Sequence, residues 1–214
     1  MREELKDCRF LCLNMASSKI RILLAEDDYW LRNSLEEALQ KAGYELVGVA
    51  NTGREAVELA LTHLPDIIIM DIRMPEMDGL EAAKRINEAR FTPIVLLTAY
   101  ADQNFLKRAK EAKVLGYLLK PVSMEELVSA LEIALSVGRE ISSLEHRLRD
   151  LREQLEARKI IERAKGFLMD AYGMKEGEAM RFLQQEAQRR RIKLVVLAKA
   201  ILKQAEGLLK KSSG

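Results

Sequence analysis

A chain of 214 residues has room for one large domain or two small ones. With 48% hydrophobic and 32% charged residues but only 4 Pro and 11 Gly, it can bury a core and has too few breakers for a disordered chain; no apolar run nears the roughly 20 residues of a bilayer span, so a soluble, cytoplasmic protein that does not enter a membrane is expected. The net charge of +2 conceals an asymmetry: residues 156–214 hold 14 Lys and Arg against 7 Asp and Glu, whereas residues 1–155 hold 21 against 26. A basic C-terminal part suits a polyanionic partner, although a solvated basic face without a partner is the commoner reason for such an excess.

Residues 1–18 fit no element and are read as an N-terminal extension without assigned function. They contain both cysteines, Cys8 and Cys12, so neither a disulfide framework nor a four-cysteine metal site is available. Short apolar runs then recur at Ile20–Ala25, Glu45–Ala50, Ile67–Met70, Ile94–Leu97 and Tyr117–Leu119, with helix-period segments between them. Strands alternating with helices predict an α/β domain over residues 19–138, a five-stranded parallel doubly wound sheet buried on both faces. Pro65, Pro75, Pro93 and Pro121 all fall at strand ends or just beyond, where proline is tolerated.

Beyond Pro121 the chain reads as helix for a long way. Ile141, Leu144, Leu148, Leu151 and Leu155 follow 3-4 spacing, which marks residues 139–157 as a helical coiled-coil linker. About two heptads are shorter than a firm coiled-coil signal, and a helix contact within one chain would look the same, but a dimer seam is favoured. Residues 158–206 then read as a small three-helix bundle broken at Gly173, with apolar faces at Ile160/Ala164/Leu168, Ala179/Leu183/Ala187 and Leu194/Leu197/Ile201, and residues 207–214 as a tail. Gly166, inside the first of these helices, either admits another backbone or costs about 1 kcal/mol against Ala.

In a parallel sheet, ligands gather at the carboxyl ends of strands. The first strand ends in Glu26-Asp27, the third in Asp71, the fourth in Thr98 and the fifth runs into Lys120. Three carboxylates at one edge repel unless a cation intervenes, and all-oxygen ligands suit Mg²⁺. One carboxylate can then attack a phosphoryl group, the metal, a lysine and a hydroxyl balancing charge on its oxygens. Taken singly, each residue has a plainer reading: Glu26, Asp27 or Asp28 could merely cap the helix that starts near Tyr29.

The segments LLAEDD, IIIMDIRMPEMDGLEA, IVLLTAY and GYLLKPVS, in this order and spacing, resemble the receiver domain of two-component response regulators, a flavodoxin-like fold. The resemblance implies that Asp71 is the phosphoacceptor, phosphorylated by a histidine kinase. It implies that Glu26, Asp27, Asp71 and the backbone carbonyl of Arg73 hold Mg²⁺, with Asp27 a direct ligand. Thr98 would be the switch hydroxyl, Lys120 the phosphate-pairing lysine and Tyr117 the aromatic residue that responds to activation, while Pro75 and Gly79 shape the loop. Such a domain transfers and slowly loses its own phosphoryl group but is otherwise no enzyme. Two positions depart from or elaborate the pattern: Lys113-Val114 replaces a common Gly-Ala, and the bulky Arg73 and Tyr100, each two residues beyond a site residue, predict slow water access and a long-lived phosphorylated state.

The segment RKIIERAKGFLMDAYGMKEGEAMRFLQQEAQRRRIKLVVLAKAIL resembles the ANTAR domain, an RNA-binding antitermination module. This second resemblance implies a regulator that binds hairpin leader RNA and prevents transcription termination; the Ile141–Leu155 seam adds the expectation of a homodimer on phosphorylation. Exposed cations are the candidate RNA contacts: Arg158, Lys159, Arg163, Lys165, Arg181, Arg189, Arg190, Arg191 and Lys193, with Tyr172 a candidate for base stacking. Three alternatives stay open: a DNA-binding output, a Mg²⁺-dependent phosphatase and a protein-binding adaptor. A haloacid-dehalogenase-type phosphatase would want an Asp where Arg73 stands. His63 and His146 make no catalytic or zinc pair, and Trp30 is expected to pack on the first helix.

Overall fold

A computed structural model describes residues 19–99 and 102–211, with side chains as far as residue 204. The N-terminal extension with Cys8 and Cys12, and Tyr100, lie outside the described residues. The elements β1 (Arg21–Ala25), α1 (Tyr29–Lys41), β2 (Glu45–Ala50), α2 (Gly53–His63), β3 (Ile67–Asp71), α3 (Gly79–Ala89), β4 (Ile94–Thr98), α4 (Gln103–Glu111) and β5 (Gly116–Leu119) alternate as the apolar runs predict. Then come the 49-residue α5 (Met124–Tyr172), α6 (Glu176–Arg190) and α7 (Leu194–Lys211).

The five strands form one parallel sheet in the order β2-β1-β3-β4-β5. Ile22, Leu24, Ile67, Ile69, Val95 and Leu97 face α1 and the start of α5, while Leu23, Ala25, Ile68 and Met70 face α2, α3 and α4. Covering both faces explains why these strands are continuous apolar runs rather than alternating ones. The chain leaves β1 for one edge of the sheet and returns to the other side of it for β3. The crevice at that reversal, outside the carboxyl ends of β1 and β3, is where a parallel sheet offers a ligand site.

Five helices start on a side-chain cap. Asp28, Thr52, Asp78, Asp102 and Ser123 accept hydrogen bonds from the backbone N–H of Leu31, Glu55, Glu81, Phe105 and Glu126, each worth about 1 kcal/mol. Asp28 caps α1, which leaves Glu26 and Asp27 for other work. At the far end of α4, Lys113 has φ 55°, the left-handed conformation that usually selects glycine after a helix. The replacement of the common glycine by lysine is therefore a strained substitution at a turn that still forms. Trp30, expected to pack on the first helix, is 80% exposed and makes a T-shaped ring contact with its neighbour Tyr29, centroids 5.5 Å apart.

The described residues divide into two compact units, one ending at Ser142 and the other beginning at Ser143, and the division falls inside α5. In the first unit, Leu127, Leu131, Ala134 and Leu135 of α5 lie in the sheet's core. In the second, Ala164 and Leu168 pack with Ala179, Leu183 and Ala187 of α6 and Leu197 and Ala198 of α7, a three-helix bundle. Gly173, at φ 68°, ends α5 in the left-handed conformation.

A methyl group on Gly166 would meet nothing within 4 Å among the described residues, so this glycine admits no other backbone and only weakens its helix. Gly166→Ala is expected to stabilise the second unit by about 1 kcal/mol, read as a higher denaturation midpoint. A lowered midpoint would contradict this.

Candidate functional site

Glu26 and Asp27 follow β1 and Asp71 closes β3, and the pairing of those two strands brings the acids to one edge of the sheet. One carboxylate oxygen from each of the three lies within 4.8 Å of the others. Lys120, just past β5, reaches across: its Nζ donates to Glu26 Oε2 at 2.8 Å and Oε1 at 3.1 Å, and lies 2.9 Å from Asp71 Oδ2. Asp71 Oδ1 accepts from the Ile72 N–H at 2.7 Å. Glu26 is fully buried and Asp71 nearly so, whereas Asp27 is exposed and its carboxylate has no hydrogen bond among the described residues.

Burial raises the Glu26 pKa above the ordinary carboxylate value and the Asp71 charge adds to this, while the Lys120 hydrogen bond opposes it. Burial works against the Lys120 charge, but hydrogen bonds to Asp71 and Glu26 outweigh it and hold the ammonium pKa above its ordinary value. Three ionised carboxylates and one ammonium leave two negative charges. All-oxygen donors with that residual charge fit a small divalent cation such as Mg²⁺. Glu26 gives both oxygens to Lys120, so Asp27 and Asp71 are the acids best placed to hold it.

Asp71, Arg73, Thr98, Asp102, Arg108 and Lys120 line a cleft of about 230 Å³ at this edge. Its floor depends on a close approach: the Gly79 N–H donates to Ile72 O at 2.8 Å, and a Cβ on Gly79 would stand 2.0 Å from the Asp71 carbonyl oxygen. Thr98 is buried at the end of β4. Tyr117 is not in the cleft. It points outward, 42% exposed, with its ring edge-on to Phe105 of α4 at 5.2 Å between centroids.

Sequence reasoning passed over Asp78 and Arg108. Arg108 Nη2 donates to Asp78 Oδ2 at 2.5 Å. Burial pushes the Asp78 carboxyl up, but that hydrogen bond and those from backbone N–H groups bring it below the ordinary range. Asp78 was signalled only as the Asp before Gly79; nothing in the sequence pointed to Arg108, which lies on a helix face 30 residues away.

The receiver domain model of response regulators matches residues 22–132, and the ANTAR domain model matches residues 149–202. Transcriptional regulatory protein PdtaR of Mycobacterium tuberculosis is 45% identical over 182 residues, 85% of this chain and 89% of that protein. The chain belongs to the response regulators. Chemotaxis protein CheY of Thermotoga maritima is 38% identical over 52% of this chain and 93% of its own length. Among solved structures, CheY4 of Vibrio cholerae superposes with a TM-score of 0.51 at 33% identity, covering 54% of this chain and 98% of that one. This response regulator thus joins a receiver to an ANTAR output, an architecture of regulators rather than of catalytic enzymes, and no helix among its described residues is long and apolar enough to cross a membrane.

The ANTAR match begins within the segment read as linker. In the regulator's output unit, Arg158, Lys159, Arg163, Arg181, Arg189, Arg190, Arg191 and Lys193 are all exposed. Lys165 is not. Its side chain is only 13% exposed, with Nζ 2.6 Å from Glu162 and 2.8 Å from Glu176, so the expectation of an exposed cation is corrected: Lys165 ties α5 to the start of α6. Its spacing from Glu162 allowed a pair, but the approach of Glu176 exists only in the folded bundle.

The other cations divide. Lys159 pairs with Glu156, and both Arg189 and Arg190 return to Glu186 at the end of α6, where cations also suit the helix dipole. Arg158, Arg163, Arg191 and Lys193 form no ion pair among the described residues. Tyr172 is 66% exposed and meets Phe167 edge-on at 6.3 Å. His63 and His146 are each exposed, His146 beside Asp150 at 3.4 Å.

Proposed function

We propose that Asp71 accepts a phosphoryl group from a histidine kinase and that phosphorylation controls binding of the ANTAR output to hairpin leader RNA, preventing transcription termination. The observation that carries the first half is the Lys120 ammonium held between Glu26 and Asp71. A cation fixed at 2.9 Å from the acceptor oxygen is placed to neutralise the incoming phosphoryl oxygens. Glu26, Asp27, Asp71 and the Arg73 carbonyl would hold Mg²⁺, which when bound supplies further neutralisation of the same charge. Asp27, Asp71 and the Arg73 carbonyl would be its direct ligands, Glu26 would add charge to the set while keeping Lys120 in place, and Thr98 would donate its hydroxyl to a phosphoryl oxygen as Tyr117 changes position.

For the output, the exposed Arg158, Arg163, Arg191 and Lys193, which form no ion pair among the described residues, are the leading RNA contacts, with Lys159, Arg189 and Arg190 available through exchange of weak surface pairs and Arg181, whose Nε donates to Gly177 O, likewise exposed. Arginine offers unpaired loop bases both charge and a stacking plane. Leu144, Leu148, Leu151 and Leu155 are 51–59% exposed and belong to neither unit's core, which favours a seam between two copies over a contact inside one chain. Two joined outputs gain avidity on paired RNA elements without new contacts.

The test is titration of hairpin RNA with wild-type protein and Asp71→Asn, each with and without acetyl phosphate and Mg²⁺. The phosphodonor is expected to tighten wild-type binding by about tenfold or more and to leave Asp71→Asn unchanged, with binding weakening as salt rises. Preference for duplex DNA over the hairpin would overturn the RNA reading. An equal gain in Asp71→Asn would overturn the phosphoacceptor.

A further inference from the structure

Arg108 lines the same cleft as Asp71, Thr98 and Lys120, yet the phosphoryl chemistry of those three residues gives it no part. Its Nη2 is held by Asp78 Oδ2, while Asp78 Oδ1 is committed to capping α3 through the Glu81 N–H at 2.7 Å. A guanidinium carries five donors in a rigid fork, and Asp78 has only one oxygen to spare for it. Both side chains are about two-fifths exposed, 43% for Arg108 and 40% for Asp78, so the pair is of the weakly held surface kind.

We propose that Arg108 senses the phosphoryl group: once Asp71 is phosphorylated, the guanidinium leaves Asp78 for the phosphoryl oxygens. The inference rests on Asp71 being the acceptor. A phosphoryl group brings about two negative charges and three acceptor oxygens, against a single free carboxylate oxygen on Asp78, and its geometry matches the planar fork. Lys120 already stands between Glu26 and Asp71 before any phosphoryl group arrives, so it neutralises the new charge without changing place and does not report its arrival. The exchange has a structural consequence. Arg108 and Phe105 lie three residues apart on one face of α4, and Phe105 is the ring against which Tyr117 rests. Movement of Arg108 toward Asp71 therefore disturbs the support of Tyr117 and releases α3's cap from its ion pair.

The experiment is calorimetric titration of the full chain with beryllofluoride, a phosphoryl mimic that adds to carboxylates, in buffer containing Mg²⁺. Arg108→Ala is expected to bind about tenfold or more weakly, the scale of a lost hydrogen bond to a charged group, and Arg108→Lys to fall between it and wild type. Asp78→Asn keeps a capping side chain but removes the competing charge, so it is expected to bind several-fold more tightly. A merely structural ion pair would make both changes weaken binding. Wild-type affinity in Arg108→Ala, or unchanged or weaker binding in Asp78→Asn, overturns the proposal. Should Arg108→Ala fail to fold, Arg108→Lys and Asp78→Asn decide it by the same criteria. Asp71→Asn separates the two readings: if it binds beryllofluoride like wild type, the acceptor assignment fails, whereas loss of binding there with no effect at Arg108 defeats the sensor alone.

Discussion

Lys120→Met is expected to lower the unfolding free energy by about 3 kcal/mol when divalent cations are chelated, because removing one partner of a buried charged pair strands the other. Glu26 is fully buried and both its oxygens face the Lys120 ammonium. Without that cation, Glu26 and Asp71 confront each other as like charges, and Asp71 already raises the Glu26 pKa after the larger effect of burial. A carboxyl whose folded pKa lies above its unfolded value favours the fold while protonated and loses that contribution as pH rises through the folded pKa. The deficit of Lys120→Met is therefore expected to narrow on acidification from neutrality. Mg²⁺ is expected to recover part of it at neutral pH by restoring positive charge to the pocket. Chemical denaturation at two pH values, with and without Mg²⁺, checks all three statements, and a deficit that widens toward acid would refute this role for Glu26.

Gly79→Ala is expected to be comparably damaging, about 3 kcal/mol, for a steric reason. The added methyl would sit 2.0 Å from the Asp71 carbonyl oxygen and 3.0 Å from Ile72 Cα, and backbone cannot swing aside as a flexible side chain does. Relief requires the start of α3 to move off β3, which breaks the hydrogen bond from the Gly79 N–H to Ile72 O. The Asp71 carboxylate, the proposed phosphoacceptor, rides on that segment through its bond from the Ile72 N–H. Stability and phosphorylation rate are therefore expected to fall together, measured by denaturation and by mass spectrometry after acetyl phosphate treatment. Full stability in the variant would show that α3 can draw back from β3 at little cost.

The strands and the acids that close them were legible because burial on both faces writes itself as unbroken Ile and Leu runs, and because chain order alone sends parallel strands' ends to one edge. Ile67–Asp71 is the plainest case, with every residue buried. What could not be read were contacts between side chains distant in sequence. Arg108 meets Asp78 only through the packing of α3 beside α4. Lys165 looked like one more surface cation until the fold brought Glu176 to it. Trp30 shows the opposite failure, since large apolar size suggested burial and its place at the first turn of α1 gave it water instead.

The border between the two units lies within α5, with Ser142 and Ser143 both helical. A fusion between domains made in a loop tolerates a residue more or less. One made inside a helix does not, because each residue inserted turns everything downstream by about 100° and advances it about 1.5 Å. New pairings of input and output on this plan can therefore arise by recombination only where the join preserves helical phase. An insertion or deletion between Leu135 and Ala164, which belong to different cores, would therefore shift the phase of the one helix that carries both.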